Sequence, residues 1–152
     1  MSAGERLPLG PIAVVGVSSS ARKFGTSVYR ELKQRGYTVY GVHPTLKKFD
    51  DERCYPRLTS IPGKIDLVVV CVKPDKALSV VEDAVSRGVK RMFFQQGADF
   101  SEAIAKAEAA GLKAIKGGCI LMYADPVGGI HAAHRFLSRI FGAYPKHHPL
   151  KD

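Results

Sequence analysis

Short apolar runs recur along this chain, each followed by a turn and then by an amphipathic stretch. Residues 11–16 (PIAVVG) form a continuous apolar run closed by glycine, the pattern of a strand covered on both faces. Val28, Tyr29 and Leu32 then recur at helical spacing over residues 25–35, and Gly36 stops that helix. Residues 38–42 (TVYGV) read as a second strand, ended by His43-Pro44. Residues 45–64 are polar and punctuated by proline, with a short strand predicted around residues 53–55. The β-branched run at 66–72 (DLVVVCV) predicts a strand with both faces buried. Pro74 suits the first position of the next helix, whose stripe is Ala77, Leu78, Val81, Ala84 and Val85 and whose stop is Gly88. Residues 91–95 (RMFFQ) predict another strand. Ser101 is the predicted cap of a helix over 101–110, Gly111 terminates it, and 112–116 (LKAIK) is the last strand of the series.

This alternation predicts an α/β fold, a doubly wound parallel sheet with helices on both faces. The rhythm changes after Cys119. Asp125-Pro126 predicts a helix start, and Ile130, Ala133, Leu137, Ile140 and Phe141 share one stripe of a C-terminal helix over about 125–145. That stripe reads as packed on the sheet, with a homodimer contact as the sharper alternative. At 152 residues, one domain is expected over the whole chain, with its core over about 10–120.

Composition narrows the class. The chain is 45% hydrophobic and 24% charged, ordinary for a globular protein, and no apolar run approaches the roughly 18 residues of a membrane span. Glu5 and Arg6 interrupt the N-terminus, which does not read as a signal peptide. Cys54, Cys71 and Cys119 form an odd set without a close pair, so a reduced, cytoplasmic setting is expected. The 23 basic and 14 acidic residues give a net charge of +9, which favours anionic partners without choosing among them. Nucleic acid is disfavoured, because the cations are scattered and carry no aromatic ladder or recognition-helix pattern.

The chemistry concentrates in the turn after the first strand. In a doubly wound sheet that turn lies at the ligand crevice, and the helix that follows offers free backbone N–H groups to phosphate. Here the turn reads Gly16-Val17-Ser18-Ser19-Ser20, then Arg22, Lys23, Phe24 and Gly25. Gly16 allows a tight exit from the strand, the serines offer hydroxyls, Arg22 and Lys23 add positive charge, and Gly25 lets the helix approach ligand or strand closely. The pattern is neither G-x-G-x-x-G nor a Walker A loop. A nicotinamide site would also want an acidic residue after the second strand, where His43 stands. Lys47 and Lys48 beyond it suit an extra phosphate.

Taken with V-H-P at 42–44, C-Y-P-R-L at 54–58, D-L-V-V-V-C-V-K-P at 66–74, Q-Q-G at 95–97 and G-G-C at 117–119, these features resemble the stand-alone CoA-binding domain family. That family is Rossmann-like and similar to the N-terminal CoA-binding domain of the succinyl-CoA ligase α subunit. The resemblance implies coenzyme A or acyl-CoA as ligand. It implies that Gly16 to Ser20, Phe24 and Gly25 hold the pyrophosphate and that the turn after Pro44 approaches the adenosine end. There His43 stands where the family often has Asn, and Lys47 would meet the 3′-phosphate. Val72, Lys73 and Pro74 would wall the adenine, and Gln96 and Gly97 would lie on the pantetheine side. Succinyl-CoA ligases also use a phosphorylated histidine in a second domain. The chain is expected to lack such a domain and to bind without catalysis of its own. The alternative is an NAD(P)-binding oxidoreductase or a redox-sensing nucleotide binder.

Two further constellations carry less. His131 and His134 share a face of the predicted last helix, but no tetrahedral ligand set accompanies them, so no metal site is predicted. Cys119 falls at the ligand end of the sheet, where a CoA thiol could form a mixed disulfide, though a packed small residue in a tight turn is the plainer reading.

Overall fold

The computed structural model describes residues 10–20 and 23–122. The predicted C-terminal helix with its homodimer stripe, His131, His134 and Arg22 lie outside the described residues. The strands β1 (Ile12–Val15), β2 (Val39–Val42), β3 (Lys48–Phe49), β4 (Glu52–Tyr55), β5 (Leu67–Val70), β6 (Arg91–Phe94) and β7 (Lys113–Ile115) form one sheet in the order β3-β4-β2-β1-β5-β6-β7. All pairings are parallel except β3 with β4. The three described α-helices are α1 (Phe24–Gln34), α2 (Pro74–Ser86) and α3 (Ser101–Ala109). The predicted doubly wound α/β architecture is the one observed.

Strand alternation divides the core into two layers. Ile12, Val14, Leu67, Val69 and Phe93 face Val28, Tyr29 and Leu32 of α1 and the short turn at Ile120–Met122. Ala13, Val15, Val68, Val70, Met92 and Phe94 face Ala77, Val81 and Ala84 of α2 and Ala103 and Ala107 of α3. All four residues of β1 and of β5 are buried, because these central strands have a layer on each side.

Within the stretch at 45–64, residues 48–55 fold as a hairpin, of which the sequence pattern predicted only the second strand. Asp50 and Asp51 form its tip at φ 48° and 63°, in the left-handed region that Asp tolerates better than most residues. Arg30 of α1 donates two hydrogen bonds to Asp50 at 2.7 and 2.9 Å, and Lys33 pairs with Glu52. The Arg30 guanidinium holds the Asp50 carboxyl below its ordinary range. Tyr29 meets Phe49 edge to face, with ring centroids 5.0 Å apart. The hairpin thus rests against α1, and β4 continues the sheet beyond β2. One cap differs from expectation. Ser101 is the first residue of α3, and the Asp99 carboxylate accepts its N–H at 2.9 Å and its hydroxyl, so Asp99 organises the helix entry.

The entry of α1 is the tightest junction in the fold. Gly16 leaves β1 at φ 113°, and a side chain there would meet the Cys71 carbonyl oxygen at 2.7 Å. A Cβ on Gly25 would stand 2.4 Å from the carbonyl oxygen of Gly16. Of the two roles expected for Gly25, the structure shows close approach to the strand end. Replacing Gly25 by Ala should therefore destabilise the protein by about 2 kcal/mol or more, since backbone must move to admit the methyl group. Urea denaturation checks this, and an unchanged midpoint would contradict it.

Candidate functional site

The parallel strands end together along one edge, and the sheet hydrogen bonds run one residue beyond them. Gly16 donates to Val42 O, His43 to Tyr55 O, Cys71 to Val15 O and Gln95 to Val70 O. The strand order reverses between β1 and β5, and two clefts open there on either side of the turn after β5. Cys71, Val72 and Lys73 form the wall common to both.

The first cleft, about 540 Å³, takes Gly16, Val17, Ser18 and Lys23 from the turn after β1. Val42, His43 and Pro44 come from the end of β2, Arg57 and Leu58 from beyond β4, and Lys76 and Val80 from α2. Its walls are largely aliphatic and its rim is cationic. Arg57 donates to Asp83 through Nε at 3.1 Å and through its second nitrogen at 2.5 Å, which raises the already high guanidinium pKa. The second cleft, about 620 Å³, is lined by Phe24, Pro74, Gln96, Gly97 and Phe100 besides the common wall. Phe24 is 46% exposed although aromatic, so the start of α1 offers an open apolar surface to whatever occupies this cleft.

The loop after β1 is held by a buried hydroxyl. The Ser18 N–H donates to Thr26 Oγ1 at 3.1 Å, and the Thr26 hydroxyl donates back to Ser18 O at 2.8 Å. Ser18 Oγ in turn accepts the Ser20 N–H at 3.2 Å. Thr26 is wholly buried. Neither α1 nor α2 has a side-chain cap at its N-terminus, and the first turn of α1 carries no acidic residue. The start of α1 therefore presents partial positive charge at the clefts, while Asp75 in the first turn of α2 offsets it there.

His43 serves its own turn. Its Nδ1 accepts the N–H groups of Thr45 and Leu46, both at 3.1 Å. An acceptor at Nδ1 leaves the ring proton on Nε2, where it is a donor at the cleft edge. This is also the turn-closing role for which an Asn side chain is suited.

The sequence-predicted residues divide accordingly. Gly16, Val17, Ser18, Lys23, His43, Pro44, Val72 and Lys73 line the first cleft, while Phe24, Pro74, Gln96 and Gly97 line the second. Ser19 and Ser20 are exposed on the loop, Gly25 is buried behind it, and Lys47 is exposed on the turn beyond His43 without lining either cleft. Sequence reasoning missed Thr26, Arg57 and the α2 residues Lys76, Val80 and Asp83. Arg57 stood inside the 54–58 motif, and Thr26 was the hydroxyl among the apolar positions of α1. Both signals were present in the sequence.

The thiols are quiet. Burial pushes Cys71 far above the ordinary thiol range, and the neighbouring Cys119 adds to the effect. Burial likewise raises Cys119, against weaker opposition from hydrogen bonds that include one from Gln95 Nε2 to its sulfur at 3.5 Å. Gln95 is buried, and its Oε1 accepts the Ile120 N–H at 2.9 Å, so Gln95 and Cys119 tie the ends of β6 and β7 together. Among the described residues, no cluster of His, Cys, Asp and Glu could hold a metal, and no helix is long and apolar enough to cross a membrane.

Comparison with known proteins gives this arrangement a family context. The model of a CoA binding domain family matches residues 11–125. Acetate–CoA ligase (ADP-forming) II of Archaeoglobus fulgidus is 30% identical over 81 residues, which are 52% of this chain and 12% of the ligase. The chain thus spans a small part of that relative. A solved hypothetical protein from Pyrococcus horikoshii is 36% identical, with a TM-score of 0.68 and coverage of 72% of this chain and 77% of that one. A conserved hypothetical protein from Pyrococcus furiosus is 32% identical, with a TM-score of 0.70 and coverage of 74% and 97%.

Two outcomes follow from the geometry. Thr26→Val should cost about 1–2 kcal/mol and speed hydrogen exchange at the Ser18 amide, because the part-buried Ser18 N–H loses its acceptor and the Ser18 carbonyl loses its donor. Unchanged exchange there would contradict the clamp. The folded protein should also label slowly with a thiol reagent at neutral pH and rapidly once unfolded, because thiols with raised pKa remain protonated. Fast labelling of Cys71 or Cys119 in the native state would contradict this.

Proposed function

The chain belongs to the CoA binding domain family, and on that premise we propose that it binds coenzyme A or an acyl-CoA across the two clefts, as a binding or regulatory module. The observation that carries this reading is the common wall of Cys71, Val72 and Lys73 between two clefts of nucleotide size, beside two helix starts free of side-chain caps. The adenosine takes the aliphatic first cleft, against Val17, Val42, Pro44, Leu58 and Val72. The pyrophosphate crosses beside the turn from Gly16 to Ser20 at the start of α1, where Lys23 and the N–H groups of the first α1 residues meet its charge, those of Gly16, Ser18 and Ser20 being engaged within the fold. The pantetheine arm runs into the second cleft past Phe24, Gln96 and Gly97. The 3′-phosphate is met by Lys47 from the turn after His43, whose Nε2–H faces the same end.

We read the module as one that needs a partner for chemistry. His43 Nδ1 is occupied by its own turn, and the cysteines at the sheet ends are held protonated, so neither supplies an activated nucleophile. Incubation with acetyl-CoA should release no thiol above the uncatalysed rate. Catalysed release that His43→Ala or Cys119→Ala abolishes, with the fold intact, would overturn this.

Ligand choice tests the site directly. By titration calorimetry CoA should bind several-fold to about tenfold more tightly than 3′-dephospho-CoA, the range of one screened phosphate–cation contact. Lys47→Ala should erase that difference. Equal affinities for the two ligands in the unaltered protein would remove the proposed role of this turn.

A further inference from the structure

Beside the second cleft, between the turns after β6 and β7, lies a smaller cavity of about 240 Å³. Phe94, Phe100 and Ile104 give it an apolar base, and Lys116 and Gly117 line it from the turn after β7. Phe94 and Phe100 are both buried and pack with ring centroids 5.5 Å apart, so that base is firm. The reading of the CoA clefts assigns this space no role.

The cavity adjoins the second cleft. Gln95, Gln96, Ala98 and Phe100 line both, so the bend at 96–98 and the Phe100 ring divide one space from the other. The middle residue of that bend is Gly97, at φ 99°. Apart from its chain neighbours, no heavy atom lies within 4 Å of where a Cβ on Gly97 would stand. The divider therefore has no side chain at its centre, where a ligand leaving the second cleft would cross. The Gln96 N–H donates to Gly118 O at 3.2 Å, which fixes the turns after β6 and β7 against each other.

Size and charge define what fits. At roughly 30 Å³ for each water-sized group, the cavity has room for about eight. A chain of a few carbons fits that space and a long fatty chain does not. A carboxylate laid on the aromatic and aliphatic base would lose water without gaining a hydrogen bond. The rim at α3 is anionic. Ser101 donates its hydroxyl and its N–H to Asp99, which holds the Asp99 carboxyl below its ordinary range, and Glu102 follows in the first turn of the helix. Among the described residues Lys116 is the cation that lines the cavity. Two carboxylates outweigh that cation and the roughly half charge of the helix start, so the field opposes a third carboxylate.

We propose that this cavity receives the acyl group of a CoA thioester, and that it takes neutral acyl groups of about two to six carbons. The inference rests on the reading of the second cleft as the pantetheine site, and it deepens that reading by choosing acyl-CoA over free CoA. Titration calorimetry of the full chain with a series of thioesters tests it. Butyryl-CoA should bind at least about fivefold more tightly than CoA, since each fully buried methylene is worth up to about fourfold. Succinyl-CoA has the same chain length with a carboxylate in place of the methyl group. It should bind at least about tenfold more weakly than butyryl-CoA. Octanoyl-CoA should gain nothing over hexanoyl-CoA. Amide NMR shifts between the CoA-bound and butyryl-CoA-bound protein should fall at Ser101, Ile104 and Gly117.

Ile104 is half-buried and lines neither CoA cleft, so Ile104→Trp fills the cavity and spares them. That variant should bind CoA as before and lose the gain from the butyryl group. Equal affinities for CoA and butyryl-CoA would overturn the proposal and leave the CoA reading standing. So would succinyl-CoA binding as tightly as butyryl-CoA, a gain that continues to octanoyl-CoA or survives in Ile104→Trp, or difference shifts confined to α1. If neither CoA nor any thioester binds, the CoA reading fails and this proposal falls with it.

Discussion

The contact between the start of α1 and the exit of β1 governs everything at the ligand end of this molecule. Gly25 rests on the carbonyl of Gly16, and Gly16 rests on the carbonyl of Cys71, so helix, strand and neighbouring strand meet backbone to backbone. A methyl group at either glycine has no room, and that absence of side chains brings the helix start down to the level of the strand ends. Thr26 then ties the loop back on itself through Ser18. The result is a turn held in shape before any ligand arrives, with less ordering left to occur on binding.

The same junction sets the layout of the clefts. Because β1 pairs with both β2 and β5, the turns after these strands diverge to opposite sides. The turn after β5 becomes the divider, and Cys71, Val72 and Lys73 face both spaces. On one side the hairpin packed against α1 holds β4, and β4 holds His43 through its backbone. On the other side Gln95 and Cys119 join the ends of β6 and β7. Two structural supports therefore flank one opening.

Most of the central fold was legible because burial on both faces leaves a plain trace. The segments at 11–16, 66–72 and 91–95 have apolar centres without alternation, at 11–16, 67–72 and 92–94, and each became a strand with a layer on either side. The hairpin was half legible. Residues 53–55 showed as a strand, but β3 is two residues long and is supported by ion pairs with α1, which no local pattern encodes. The glycines and serines of the first turn were visible as a loop, and their division of labour was not. Gly25 acts behind the loop rather than at the ligand surface, and Lys47 stands apart from the cleft walls, because both depend on contacts distant in sequence. Arg57 and Lys76 entered the site from elements that folding brings across the sheet end. Net charge had the same limit. It announced anionic partners, while the structure separates the cations into a set around the first cleft and a set at the far end of the sheet.

The central claim is that one CoA-type ligand spans both clefts over the Cys71–Lys73 divider. A crystal structure of the full chain grown with coenzyme A tests it most directly. The account predicts adenosine density against Val17 and Leu58, diphosphate at the Gly16 turn, and the pantetheine arm beside Phe24 and Gly97. Ordered CoA lying elsewhere, or occupying one cleft with its arm directed away from the other, would contradict it.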